Sequence, residues 1–122
     1  INNSLIIDGD DVRKYISTDL DRTIASRKIQ LKRLLGIAII SIKSNLIPIV
    51  SGVYMDKLTK TRIEKNNILI IKIERDFKYM KNYNTYKNKS NVVGIDITYP
   101  KLSTEVFFND STENFIKKIS KN

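Results

Sequence analysis

The stretch LIIDGDDVRKYIS, from Leu5 to Ser17, decides the fold because it joins an apolar run directly to a cluster of carboxylates. The run from Leu5 to Ile7 is short and apolar at successive positions, which is typical of a strand buried on both faces. Asp8 and Gly9 end this strand, and a short helical turn is predicted from Val12 to about Ser17. Acids packed this closely resist desolvation and repel one another, so we expect them to serve a site.

The remaining chain alternates helical and strand patterns. Apolar spacings of three, four and seven predict an amphipathic helix from about Thr23 to Ser44. LIPIVSGV, NILIIKIE (a strand from Ile68 to Glu74) and EVFFN are predicted strands, and DKLTKTRIEK is a predicted helix. A closing helix is predicted in DSTENFIKKIS, with Asp110 as N-cap and Glu113 as its capping-box partner. This order predicts an α/β fold with a parallel sheet flanked by helices.

The length of 122 residues and the hydrophobic content of 41% predict one domain over 1–122. Within it, the basic segment at about 75–91 lacks apolar periodicity in its second half, and we interpret it as a lid. The longest apolar stretch, LLGIAIISI, is too short to cross a bilayer, so no membrane association is expected. The absence of cysteine excludes disulfides and thiolate chemistry, and favours a reducing, cytoplasmic setting.

The formal net charge of +9, without any histidine, excludes imidazole as a base or metal ligand. A positive chain could attract a small polyanion or nucleic acid, or could carry lysines that only solubilise the surface. Nucleic acid ranks last because the lysines are scattered along the chain. Arg13 and Arg27 are the candidate anion ligands, since guanidinium binds phosphate or sulfate through paired hydrogen bonds. Either could instead form a surface ion pair.

Ligands of parallel α/β sheets collect outside the carboxyl ends of the strands, and this rule places Asp8, Gly9, Asp10 and Ser51 at one edge. A carboxylate there could hold Mg²⁺ or accept a proton from a hydroxyl group. Gly9 would allow the backbone to approach a ligand closely. Asp11 is interpreted as an acid that stabilises the start of the following helix.

Several segments together resemble the adenylyl-sulfate (APS) kinases. LIIDGDDVR resembles the motif LDGDNVR of that family, and DLDRTIASRKIQLKRL resembles DLGFSxEDRxENIRRx. LIPIVSGVY stands where IVIVSFISP is usual, and NVVGIDITYP resembles GFTGIDDPYE. The resemblance implies a P-loop kinase-like fold and phosphorylation of the 3'-hydroxyl of a nucleotide by ATP and Mg²⁺. It also implies a homodimer, which is the habit of the family.

The resemblance assigns roles to individual residues. Asp8 corresponds to the catalytic carboxylate on the metal side, and Asp10 to an acid that positions the acceptor. The remaining substrate-binding residues implied by the alignment are Arg13, Arg27, Gln30 and Ser51. Gln30 stands in place of an asparagine of the family.

The chain also departs from the family pattern. It contains no GxxxxGK[ST] phosphate loop, from which we expect that the first strand, the loop and a helix lie upstream of Ile1. The alternative is a non-catalytic remnant that binds a nucleotide or a partner. Arg22 and Val92 replace the phenylalanines that clamp adenine in the family, and Asp11 replaces an asparagine. The acceptor implied by the resemblance is therefore adenylyl sulfate or, given the lost clamp, a cytidine diphosphoramidate-like nucleotide, as in the branch of the family found in capsule polysaccharide gene clusters.

Overall fold

A computed structural model describes residues 3–74, 76, 85, 89–93, 97, 106–108, 113, 116–117 and 120. The elements in chain order are β1 (Ser4–Asp8), α1 (Gly9–Tyr15), α2 (Ile24–Lys43), β2 (Ile47–Ser51), α3 (Lys57–Lys65), β3 (Lys72–Glu74) and β4 (Val106–Phe108).

The described strands pair in parallel. β1 pairs with β2 in a register that runs from Ser4 opposite Ile47 to Asp8 opposite Ser51. β3 pairs with β4 in the same parallel sense. Because β1 and β2 run in the same direction, their last residues lie side by side at one edge. The predicted α/β fold, a parallel sheet flanked by helices, is confirmed.

The core lies between β1 and the two helices that follow it in sequence, α1 and α2. Ile7 of β1 packs with Val12 of α1 and with Leu34 and Ala38 of α2. The partly buried side chains of Ile37 and Ile68 pack against this cluster. The apolar stripe of α2 therefore holds the helix against the strand whose end carries Asp8.

The prediction that the strands are buried on both faces is wrong for β1 and β2 as described. Ile7 is 5% exposed, whereas Ile6 is 75% exposed. In β2, Ile49 is 46% exposed. Successive side chains of a strand point to opposite faces, so the packing of Ile7 against the helices places Ile6 on the other face. The described elements leave that face open.

Two elements begin at residues other than those predicted, and local hydrogen bonds explain both differences. Helix α1 begins at Gly9, not at Val12, because the Asp8 carboxylate accepts a hydrogen bond from the backbone N–H of Asp10 at 2.8 Å and caps the helix. Strand β3 begins at Lys72, not at Ile68, because the N–H of Ile68 donates to the Ile63 carbonyl at 3.2 Å and completes the end of α3.

Asparagine ends both longer helices. Asn45 after α2 has φ 58°, and Asn67 after α3 has φ 54°. The N–H of the next residue, Leu46 or Ile68, donates back to the helix at 2.9 and 3.2 Å respectively. This is the Schellman arrangement, in which a left-handed residue satisfies the last carbonyls of a helix. Asparagine adopts this conformation more readily than other residues with a side chain.

Some predictions fall on other parts of the chain. The lid at about 75–91 lies mostly outside the described residues, as do Asp110 and most of the closing helix. Glu113 and Lys117 are described as helical and form an i,i+4 ion pair at 3.1 Å. In the described part of the chain, no helix combines the length and the apolar character needed to cross a membrane.

Candidate functional site

A cleft of about 220 Å³ opens at the edge where β1 and β2 end. Its floor is formed by the strand ends, and its wall by the first half of α2. Every site residue predicted from the sequence lines this cleft. The lining residues are Asp8, Gly9, Asp10, Arg13, Arg22, Arg27, Gln30, Leu31, Leu34, Ser51, Gly52, Val53 and Tyr54.

The Asp8 carboxylate is held in place by both of its oxygens. Oδ1 accepts a hydrogen bond from the backbone N–H of Asp10 at 2.8 Å, and Oδ2 accepts one from the Ser51 hydroxyl at 3.0 Å. The hydrogen bond from Asp10 and then that from Ser51 lower the pKa of Asp8. An ionised and oriented carboxylate therefore stands at the edge of the cleft.

Gly9 is required by a close approach between the two strand ends. A Cβ atom on this residue would lie 2.8 Å from the backbone carbonyl oxygen of Ser51. The carbonyl oxygen belongs to the backbone and a Cβ is fixed directly to Cα, so no side-chain rotation can relieve the contact. The absence of a side chain at Gly9 is what allows Asp8 and Ser51 to share one edge.

Gln30 connects α2 to the same strand end. The side chain is 5% exposed, and its Nε2 donates a hydrogen bond to the Gly9 carbonyl at 3.0 Å. Its Oε1 is buried and has no hydrogen-bond partner among the described residues. A buried amide with one satisfied and one unsatisfied end is unusual, because buried polar groups are nearly always paired.

Arg27 lies one helical turn before Leu31 on α2 and is 9% exposed. Its Nε donates to the Arg22 carbonyl at 3.1 Å, and its Nη2 donates to the Asn91 carbonyl at 2.6 Å. Arg27 is therefore a buried side chain bound to backbone and not a surface residue. It joins the loop before α2 to a segment far along the chain while lining the cleft.

Arg13 lines the cleft from α1. Its Nη1 donates to the Asp21 carbonyl at 2.9 Å, which fixes the guanidinium to the loop before α2. The Asp21 carboxylate is itself bound by hydroxyl and backbone groups: hydrogen bonds from Ser26 and Thr23 lower the pKa of Asp21 to about 2. The loop that positions Arg13 is thus held by an ionised aspartate.

Arg22 lines the cleft and also a shallower neighbouring depression, which it shares with Asp10, Arg13, Lys14 and Leu20. The cationic side chains Arg13, Lys14 and Arg22 surround this depression, with Asp10 as its acid. The neighbouring depression is therefore predominantly positive, as is suitable for an anionic ligand.

Three further residues line the cleft just after β2 and were not predicted as site residues: Gly52, Val53 and Tyr54. Burial, and then the negative charge of Asp56, raise the pKa of Tyr54. The signal available in the sequence is proximity, since Tyr54 follows Ser51 by three positions. An aromatic side chain next to a predicted strand end is too common to identify a site without the fold.

The described residues contain no cluster of three or more histidine, cysteine, aspartate or glutamate side chains able to hold a metal ion. Mg²⁺ does not need such a cluster, because it commonly binds through one or two carboxylates, water and substrate phosphates. The ionised, exposed carboxylate of Asp8 fits that mode of binding.

No family model and no curated protein matches the sequence. Among solved structures, the chain is similar to the Mycobacterium tuberculosis APS kinase CysC in complex with AMPPNP and APS. The TM-score is 0.68 at 16% sequence identity, and the match covers 97% of this chain and 79% of that chain. At this identity the similarity concerns the fold. The protein therefore has an APS-kinase-like α/β fold, with a candidate site at the carboxyl edge of its parallel strands.

Proposed function

We propose that the protein is an ATP-dependent kinase of the APS-kinase type, which phosphorylates the 3'-hydroxyl of a nucleotide acceptor. The observation that carries this proposal is the convergence of separate segments on one cleft. Asp8 and Asp10 come from the end of β1 and the start of α1, and Ser51 comes from the end of β2. Arg27 and Gln30 come from α2.

The charges in the cleft suit phosphoryl transfer. This reaction requires positioning and charge neutralisation and no covalent nucleophile on the protein, so a chain without histidine or cysteine suffices. Asp8, oriented by Asp10 and Ser51, would accept the proton of the attacking hydroxyl. Arg13 and Arg27 would bind the anionic groups of the acceptor.

ATP is the proposed phosphoryl donor, and the fold neighbour was solved with the ATP analogue AMPPNP. Mg²⁺ would be held on the Asp8 side of the cleft, where the ionised carboxylate fits it. When bound, the metal would neutralise charge on the transferred phosphoryl group. The part of this chain in that step is to hold Asp8 ionised, since its hydrogen bonds lower its pKa.

The acceptor is proposed to be a cytidine diphosphoramidate-like nucleotide in preference to adenylyl sulfate. Arg22 stands where the family resemblance implies a phenylalanine against adenine, and Arg22 lines the cleft. A guanidinium offers less stacking surface to a purine than an aromatic pair does, and adds a positive charge. Parallel assays with both acceptors test this choice; a strong preference for adenylyl sulfate would contradict it without affecting the kinase assignment.

The test of the kinase assignment is phosphate transfer from ATP by the product of the complete open reading frame. We expect Asp8→Asn to lower kcat by about 10²–10⁴-fold, because the amide cannot accept the hydroxyl proton. Asp19→Asn is the matched control: Asp19 is an acid paired with Arg33 at 2.6 Å, outside the cleft, and its loss should leave kcat within a few-fold. Equal activity of the two variants would refute the role of Asp8, and no transfer by the native protein would refute the function.

A further inference from the structure

We infer that the ring of Tyr54 binds the base of the nucleotide by stacking, at the part of the cleft that follows β2. The inference rests on the proposed function, since the ligand of the cleft is taken to be a nucleotide. It deepens that function, because the chain has lost the phenylalanines that clamp the base in the resembling family. Tyr54 gives the base another aromatic surface, on a different segment of the chain.

Tyr54 is the aromatic side chain of the cleft. Among the described residues that line the cleft, no other carries an aromatic ring. Tyr54 is half-buried, so part of it remains accessible to a ligand. The positions where the resemblance implies phenylalanines hold Arg22 and Val92. A base stacks on a flat aromatic face, and Tyr54 provides one at this cleft.

The short segment that carries Tyr54 is held at both of its ends. Ser51, at the end of β2, is joined to the end of β1 by its hydroxyl hydrogen bond of 3.0 Å. Asp56 caps α3. Between these points, a Cβ on Gly52 would lie 3.7 Å from Cδ1 of Leu34, so the segment also lies against α2. A ring presented by fixed backbone loses little conformational entropy when a ligand binds.

The surroundings of Tyr54 suit a neutral ring beside an anion-binding group. Burial, and then the charge of Asp56, raise the pKa of Tyr54, and the charge of Arg27 lowers it. The phenol is therefore uncharged at neutral pH and lies within electrostatic reach of Arg27. Leu31 and Leu34, which are buried, line the same cleft. A nucleotide carries an uncharged planar base and anionic groups in one molecule, and this pairing of side chains matches both.

The distribution of charge separates the two kinds of group. Arg13 and Arg22 line both the cleft and the neighbouring depression, to which Lys14 adds a third cation. Val53 and Tyr54 line the cleft and not the depression. Anionic groups are attracted to the positive part, whereas the base gains most where it covers apolar surface. The base therefore lies at Tyr54, with the anionic groups directed towards the arginines.

The experiment measures the Kd of cytidine diphosphate and of adenylyl sulfate by calorimetry, with the product of the complete open reading frame. We expect Tyr54→Leu to weaken the tighter of the two ligands by about tenfold or more, because leucine has no face for stacking. Tyr54→Phe keeps the ring and should bind within about threefold of the native protein. Tyr15→Leu is the control, since Tyr15 is 70% exposed and lies outside the cleft lining. It should leave Kd within about twofold.

Nuclear Overhauser effects separate stacking from a structural role. In the complex of the native protein we expect such effects between the base protons and the ring protons of Tyr54. The ring is assigned from the signals that change in Tyr54→Phe. A tyrosine that only supports the fold could weaken binding when it is replaced, but its ring would show no contact with the base. This measurement also decides the matter if Tyr54→Leu does not fold.

Two results would overturn the inference. The first is an unchanged Kd in a folded Tyr54→Leu protein. The second is a complex in which no effect joins the base to the Tyr54 ring. In both cases the nucleotide still binds, and the proposed function stands. If neither nucleotide binds to the native protein, the proposed function fails together with the inference.

Discussion

Gly9 gives the sharpest test of the site geometry. In Gly9→Ala the new Cβ would lie 2.8 Å from the Ser51 carbonyl oxygen, a distance that real Cβ atoms essentially never show. Because the opposing atom is backbone, relief requires the end of β1 to move away from β2. Overpacking of this kind costs about 1–3 kcal/mol. The better helix propensity of alanine returns at most about 1 kcal/mol, so we expect a net loss of roughly 1–2 kcal/mol.

Gly36→Ala is the matched control, because it makes the same chemical change without the clash. Gly36 lies inside α2, and a Cβ there would meet nothing within 4 Å. The substitution should therefore stabilise the protein by about 0.5–1 kcal/mol, the usual gain of alanine over glycine in a helix. Replacing glycine by alanine is thus predicted to lower the free energy of unfolding at position 9 and to raise it at position 36.

Urea unfolding followed by circular dichroism measures both changes in the free energy of unfolding. Calorimetry with a nucleotide then adds a functional measurement. The Gly9 carbonyl accepts the Gln30 amide at 3.0 Å, so a shift of the strand end should weaken nucleotide binding in Gly9→Ala and leave it unchanged in Gly36→Ala. A Gly9→Ala protein as stable as the native one, with unchanged binding, would refute the reasoning about the close strand ends.

Two further predictions concern stability. Leu34→Ala removes a core side chain that is 4% exposed and should cost about 2–5 kcal/mol in urea unfolding. Ile40→Ala, at a position 66% exposed, should change stability by less than about 0.5 kcal/mol, and equal losses would contradict the described core. Asp21→Asn should destabilise the protein at pH 7. Because folding lowers the pKa of Asp21 from 3.8 to about 2, its contribution is fully present above about pH 4. The difference from the native protein should shrink as the pH falls towards 2, and a constant difference would show that the ionised carboxylate is not responsible.

Helix α2 shows which features of a helix could be predicted from the sequence and which could not. Its periodicity predicted a helix from about Thr23 to Ser44, and the structure has Ile24–Lys43, because spacing and an N-capping threonine are local properties. The apolar residues at helical spacing along this segment include Ile24 and Ile42, which are 46% and 42% exposed. The buried face of α2 instead includes Arg27 and Gln30, which precede Leu31. Arg27 and Gln30 stand four residues before Leu31 and Leu34, at helical spacing, but a pattern of apolar residues does not include polar side chains.

Asp8 has two roles, one in the chemistry of the site and one in the local structure. The sequence analysis assigned it to the site, and the structure adds that it caps α1. An aspartate at the end of a predicted strand does not by itself predict a helix cap, because capping depends on the backbone conformation of the residues that follow. Asparagine at the helix ends is a similar case. Nothing in the sequence distinguishes Asn45 and Asn67 from the other asparagines, and their left-handed backbone shows that they end helices.

The sequence by itself determined the order of strands and helices, their parallel α/β class and the identity of the charged groups at the strand ends. These follow from periodicity and from capping, which act over a few neighbouring residues. The family resemblance implied that Arg27 and Gln30 belong to one site with Asp8 and Ser51, but it is the tertiary structure that brings α2 to the ends of both strands in one cleft. It also decided which face of β1 is covered. Both depend on how α2 packs across the strands, and that packing is a sum of long-range contacts which no local pattern encodes.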